Sequence, residues 1–223
     1  MAKSKQLNSI KGLKVLITAG PTREYWDPIR FITNGSSGVM GIALAQEASR
    51  LGADVTLILG PVAGGPRYSN GLKVVRVVSA EDMDKAVQEN LKDTQVFIGA
   101  AAVSDYRPRQ HLRKKIKERA PAVTLHLIRN PDIIAKVALR TPQRPPIVIG
   151  FALETHDLMK YAQEKLRSKG LDWIVANQES NIGRERGAAT LLSRWGEKIP
   201  LGTTSKKNLA CKIWEALLKR PAL

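Results

Sequence analysis

Residues 14–20 read KVLITAG, and residues 38–51 read GVMGIALAQEASRL. The first is a continuous apolar run that stops at a glycine, the pattern of a strand covered on both faces. In the second, Met40, Leu44, Ala48 and Leu51 recur at helical spacing, Ser36 or Ser37 stands where a cap belongs, and Gly52 provides a stop. Residues 54–59 (DVTLIL) then resume the strand pattern. A strand, a covering helix and a second buried strand predict a parallel pair joined by a crossover.

The alternation continues outward from this unit. Residues 74–78 and 95–100 read as strands, with a helix over 80–91 between them capped by Ser79. Residues 122–128 read as extended, and Pro131 opens a helix that ends before Pro142. A strand over 147–151, a helix over 157–169 stopped by Gly170, and a strand over 172–176 follow. Residues 188–193 and 198–201 form a hairpin around Trp195-Gly196, and 205–218 a last helix. The fold predicted is α/β: a Rossmann-like, doubly wound, mostly parallel sheet with helices on both faces, plus a small β-hairpin. There is no internal repeat. A basic tail (1–11) precedes one domain (12–220), within which residues 60–71 read as a loop. The charged, weakly periodic stretch 106–120 is expected to be an extended lysine-rich arm or lid.

Lys plus Arg number 36 against 20 Asp plus Glu, a formal charge of +16 over 223 residues. That balance excludes an acidic activation segment and favours a polyanionic partner, whether nucleic acid, a membrane surface or a phosphorylated small molecule, over mere solubility. Seven basic residues (Arg107, Arg109, Arg113, Lys114, Lys115, Lys117, Arg119) face only Asp105 and Glu118 between 103 and 119. The single cysteine, Cys211, excludes a disulfide framework, and with His111, His126 and His156 it makes no zinc ligand set. The apolar run 96–103 is too short to span a bilayer, and the polar, basic N-terminus has no apolar signal core. A cytoplasmic setting is expected.

In an open α/β sheet, ligands sit at the carboxyl ends of the strands. The loop after the first strand ends in NGSSGVMG (34–41), small residues that let helix N–H groups approach an anion. A serine cap with packing glycines is the plainer alternative. The dinucleotide fingerprint is absent, since PTREYWDPIRFITN follows the strand, and GPVAGG (60–65) lacks the Lys-Ser/Thr of a P-loop. Tyr161 and Lys165 match a reductase spacing, but without the fingerprint they read as a solvated helix face. After the fourth strand comes GAAAVSDYRP (99–108), where three alanines leave room for a flat group. Asp105 is suited to Mg²⁺ or a hydroxyl, against an Asx-turn leading into Pro108. One carboxylate beside the cations of Lys114-Lys115-Ile116-Lys117 suits a triphosphate better than a duplex. Only Tyr106 is aromatic there, so a nucleic-acid module is disfavoured.

Taken together, ITAGPTREYWDPIRFITNGSSGVMGIALA (17–45), GAAAVSDYRP, KKIKE (114–118), RNPDI (129–133), GFALET (150–155) and LDWIVAN (171–177) resemble phosphopantothenoylcysteine synthetase. This family is the phosphopantothenate–cysteine ligase of coenzyme A biosynthesis, and the resemblance covers about residues 13–218. It implies that 4′-phosphopantothenate is joined to L-cysteine through an acyl-cytidylate, with CTP converted to CMP and pyrophosphate; ATP stays open as the alternative. Mg²⁺ is the implied cofactor. Asn34 is the implied residue for the intermediate, and Lys115 on the arm is the one for its conversion. Nucleotide contacts are implied for Gly20, Ser36, Ser37, Gly38, Ala101, Asp105, Lys115, Asp132, Phe151, Lys165 and Lys169, substrate contacts for Asn34 and Ala102, and the metal for Asp105. The resemblance also implies a homodimer with shared sites, in which 105–125 take part, and a flavin-dependent decarboxylase as fused half or separate partner. Neither nucleic acid nor membrane is an expected partner. Three departures stand out: Val39 where a basic residue is common, Glu118 for the arm's last lysine, and a short 177–187 loop.

Overall fold

The computed structural model describes residues 10–63, 72–115, 122–139, 141–178, 184 and 186–219. Residues 1–9 of the predicted tail, 116–120 of the arm (with the departure at Glu118), 64–71 of the 60–71 loop, and 179–183 and 185 of the 177–187 loop lie outside the described residues. The first half of the chain runs β1 (Lys14–Ala19), β2 (Arg23–Tyr25), β3 (Phe31–Thr33), α1 (Val39–Arg50), β4 (Asp54–Leu59), β5 (Leu72–Arg76), α2 (Ala80–Asn90) and β6 (Val96–Gly99). The second half runs β7 (Tyr106–Pro108), β8 (Leu127–Arg129), α3 (Ile133–Ala138), β9 (Ile147–Glu154), α4 (Leu158–Ser168), β10 (Trp173–Gln178), β11 (Arg186–Ser193), β12 (Lys198–Ser205) and α5 (Lys206–Leu218).

One eight-stranded sheet, ordered β12-β11-β10-β9-β6-β1-β4-β5, forms the centre. Its six parallel strands, β5-β4-β1-β6-β9-β10, have the doubly wound order, and the chain reverses direction across the sheet between β1 and β6. β1 is buried at every position but its first, as its unbroken apolar run requires. Val15 and Ile17 face one way, into a core with Leu44, Ala48, Ile213 and Trp214 of α1 and α5. Leu16, Phe97 and Val148 face the other, against Met83, Val87, Val137 and Leu166 of α2, α3 and α4. Helices therefore cover both faces, as predicted. Ile10, assigned by sequence to the tail, is itself part of the first core. Among the described residues no helix is long and apolar enough to cross a membrane.

The structure departs from the sequence reading in several places. The hairpin is not a small appendage: β11 and β12 have eight residues each and extend the main sheet as antiparallel strands on β10. The two ribbons β2–β3 and β7–β8 were not predicted. Of the extended stretch 122–128, only Leu127 and Ile128 join Arg129 in β8. Strand β7 occupies the start of the stretch read as an arm. Neither Ser36 nor Ser37 caps α1. The cap position is Gly38, at φ 73°, a left-handed conformation that glycine takes without a Cβ penalty. Asp132, rather than Pro131, opens α3, accepting from the Ala135 N–H at 3.1 Å.

Candidate active site

The reversal point between β1 and β6 opens into a cavity of about 820 Å³ along the carboxyl ends of the parallel strands. Its floor is assembled by backbone. Ala100 N–H donates to Thr18 O, and Ala102 N–H to Gly20 O, which tie the loop after β6 to the loop after β1. The buried Thr22 hydroxyl accepts from Ser104 N–H at 3.0 Å. Asn130 closes the other side, its amide donating to Ser104 O at 2.8 Å and its backbone N–H to Asp105 O. Arg107 holds Asn130 in turn, through its Oδ1 and the carbonyl of Arg129, while its other nitrogen pairs with Glu81.

Asn34 stands over this floor. Its Nδ2 donates to the carbonyls of both Ala102 and Val103 at 3.1 Å. Both amide protons are thereby used, so the atom that Asn34 keeps for a ligand is the acceptor Oδ1. The loop then runs through Ser36, whose hydroxyl accepts from Gly38 N–H at 3.3 Å, into α1. Gly41 lets the first turn of that helix lie on β1; a Cβ there would sit 2.5 Å from that of Ala19. The first N–H groups of α1, with no side-chain cap, thus end at the cavity wall.

Charge enters from α4 and from α3. Lys165 donates to Phe151 O at 2.7 Å. Burial pushes its pKa down, and Lys169 pushes it further; Glu154, Asp132 and Asp105 offset part of this. Its place in the wall corrects the reading of Tyr161 and Lys165 as a solvated face, although Tyr161 itself turns to His156. Lys169 pairs with Asp132 at 2.8 Å. Burial raises the Asp132 pKa, but the hydrogen bonds from Lys169 and Ala135 N–H outweigh it and leave the carboxyl below its usual value. The Asp105 carboxylate makes no hydrogen bond or ion pair to a described residue. No cluster of three metal-binding side chains exists among the described residues, around Asp105 or elsewhere.

The wall brings together Asn34, Ser36, Ser37, Gly38, Ala101, Ala102, Asp105, Asp132, Phe151, Lys165 and Lys169. Gly20 stands one layer behind, holding Ala102. Lys115 is exposed and not in the wall. Val39, 47% exposed, lines it without charge. Sequence reasoning missed Thr22, Asn130, Asn177, Arg184 and Lys206. The first two hold the floor and the last three line the far end. Thr22 lies in the quoted run 17–45, RNPDI contains Asn130 and LDWIVAN ends in Asn177, so these three sit in quoted motifs; nothing local marked Arg184 or Lys206.

The fold is a doubly wound α/β sheet with its cavity at the topological switch point, the place where proteins of this architecture bind their ligands. Residues 10–220 match the DNA/pantothenate metabolism flavoprotein C-terminal domain, and the chain belongs to that family. The coenzyme A biosynthesis bifunctional protein CoaBC of Vibrio cholerae is 46% identical over 209 residues, covering 91% of this chain and 51% of that protein. The chain thus spans about half the length of the curated relatives it matches. The crystal structure of the C-terminal domain of CoaBC superposes with a TM-score of 0.80 at 38% identity, covering 95% of this chain and 97% of the other. A Cab2 mutant in complex with phosphopantothenate-cysteine shares the fold alone, with a TM-score of 0.72 at 17% identity over 93% of this chain and 86% of the other.

Proposed function

We propose that the chain is a phosphopantothenate–cysteine ligase using CTP. The observation that carries this is the switch-point cavity, where an uncapped helix N-terminus, an amide acceptor and a lone carboxylate converge with lysines of α4. The family and the naming of its relatives as coenzyme A biosynthesis proteins support the same reading.

In the first step a carboxylate oxygen of 4′-phosphopantothenate attacks the α-phosphorus of CTP. The bond to the bridging oxygen breaks, and pyrophosphate leaves with its electron pair. In the second, the cysteine amine attacks the acyl carbon, the bond to CMP breaks, and the nitrogen gives up a proton. The α1 N-terminus, Ser36 and Ser37 hold phosphate, while Lys165 and Lys169 neutralise charge. Ala101 and Phe151 bound the base, and Asp132 releases Lys169 to it. Asn34 Oδ1 accepts from the amine and Ala102 lies against the acyl chain, which fixes the attacking geometry. Asp105 fits Mg²⁺, a cation that commonly uses one protein carboxylate beside substrate phosphates, and the ion would neutralise phosphate charge there. Lys115 reaches in from the arm and shields the anhydride from water.

The acting unit is a homodimer in the cytoplasm, with a flavin-dependent decarboxylase as the other half or partner. Tyr106, Leu127 and Ile128 on the β7–β8 ribbon are exposed, as are Leu112, Val123 and Leu125, and this apolar surface supports a dimer contact. The deciding experiment is pyrophosphate release with Mg²⁺, 4′-phosphopantothenate and cysteine, run with CTP and with ATP. Release that requires phosphopantothenate and prefers CTP is expected. Preference for ATP overturns the base assignment, and no release with either overturns the ligase.

A further inference from the structure

The far end of the cavity holds a cation that the steps above leave idle. β12 and β10 are both antiparallel to β11, so β12 ends at the same sheet edge as the parallel strands. Asn177 pairs with Ala189, and Ala189 with Gly202; beyond them Ser205 lies opposite Arg186, and Lys206 follows. Topology therefore carries Lys206 to the ligand edge, where it lines the cavity with Arg184 and Asn177.

Lys206 differs from the lysines of α4. Lys165 is engaged with Phe151 O, and Lys169 with Asp132. Lys206 is partly buried, yet it makes no hydrogen bond or ion pair to a described residue. Burial alone pushes its pKa down, and no acidic group offsets that. A partly desolvated ammonium without a counter-charge is costly. Asn177 Oδ1 is likewise buried without a partner among the described residues. The groups nearer α1 on this wall, Ser36, Ser37 and Val39, are neutral. An anion entering between α1 and α5 meets helix N–H groups first and Lys206 beyond them.

We propose that Lys206 binds the terminal phosphates of the nucleotide, and so receives the departing pyrophosphate, with Arg184 beside it. This rests on the ligase reading for the identity of the nucleotide, but not for the polyphosphate chemistry. Selectivity for phosphate number follows. A monophosphate held near Phe151 and Asp132 falls short of Lys206, and a triphosphate does not.

Calorimetric titration of the purified chain with CTP, CMP and inorganic tripolyphosphate in Mg²⁺ tests it. Loss of one charge-assisted contact predicts that Lys206→Ala weakens CTP and tripolyphosphate by about 10-fold or more and CMP by less than about 2-fold. Lys206→Arg should restore most of the loss, and Lys85→Ala, which removes an exposed charge outside the cavity, should change none of the three. Thermal melts of each variant check the fold. Unchanged CTP and tripolyphosphate binding in Lys206→Ala, or equal weakening of CMP and CTP, overturns the proposal. If the wild type binds neither CTP nor CMP, the ligase reading falls. Tripolyphosphate still decides on Lys206, because wild-type binding lost in Lys206→Ala upholds it and wild-type failure to bind overturns it.

Discussion

Asn34 and Lys206 face one cavity and are held in opposite ways. Asn34 is fixed by two bonds to backbone carbonyls that are themselves pinned to Gly20 and Thr22. Around it the wall is neutral and its geometry exists before a ligand arrives. Lys206 has no partner among the described residues, and Lys169 has one, Asp132, that a phosphate can displace. Shape is thus set by hydrogen bonds that binding leaves intact, and charge by groups whose partners are missing or exchangeable. In the proposed reaction this division would let geometry persist while charge compensation changes as pyrophosphate and then CMP depart.

The largest effect should come from breaking the fixed wall. In Asn34→Asp the second carboxylate oxygen opposes the carbonyls of Ala102 and Val103. Amide product should fall on the order of 10²- to 10³-fold while pyrophosphate release persists. Chromatographic product yield beside pyrophosphate release, measured in the same reactions, separates the two, and normal yield would remove Asn34 from its role. Next, Thr22→Val leaves Ser104 N–H buried without an acceptor. It should cost about 1–3 kcal/mol in urea unfolding and lower kcat/KM.

A smaller effect tests the charged side through pH. Because burial and Lys169 depress the Lys165 pKa, its ammonium is lost below 10.5, the value of an ordinary lysine. Affinity for CTP should therefore decline at a lower alkaline pH than an unperturbed lysine would give. The sign for the ligand-free fold is opposite: the burial cost is full below the folded pKa and fades as pH rises through it towards 10.5. Fluorescence-monitored CTP binding and melting temperature across alkaline pH should move in opposite directions; parallel movement would refute the assignment. The smallest effect is Lys206→Met, which loses no partner and removes a desolvated charge. The melting temperature should rise by about 1–3 °C, visible by circular dichroism.

The parallel core was readable because continuous apolar runs such as KVLIT leave few alternatives to a strand covered on both faces. The ribbons β2–β3 and β7–β8 were not, since three-residue strands with mixed exposure carry no period. The α1 cap was misread because a serine before a helix signals a cap only if the intervening glycine does not take the left-handed turn. The resemblance assigned Asn34 to the intermediate and Asp105, Asp132, Phe151, Lys165 and Lys169 to the nucleotide, and all of them line the cavity. Lys206 could not be found that way. Its position depends on the hairpin joining the main sheet, a long-range pairing that no local pattern specifies.

The root of the lysine arm has one more consequence. Leu112 N–H donates to Trp26 O at 2.8 Å, and His111 Nδ1 lies 3.2 Å from Tyr25 O, so the segment is moored to the β2–β3 ribbon just before its lysines. Lys115 is three residues past that mooring, a tether that reaches roughly 10 Å when fully extended. Such a leash confines the ammonium to a small volume around its mooring, where its effective concentration is on the order of millimolar or above. If Lys115 acts as proposed, its recruitment would be an intramolecular event of short search, and lengthening the leash between Leu112 and Lys115 would dilute that charge without altering any residue of the cavity wall.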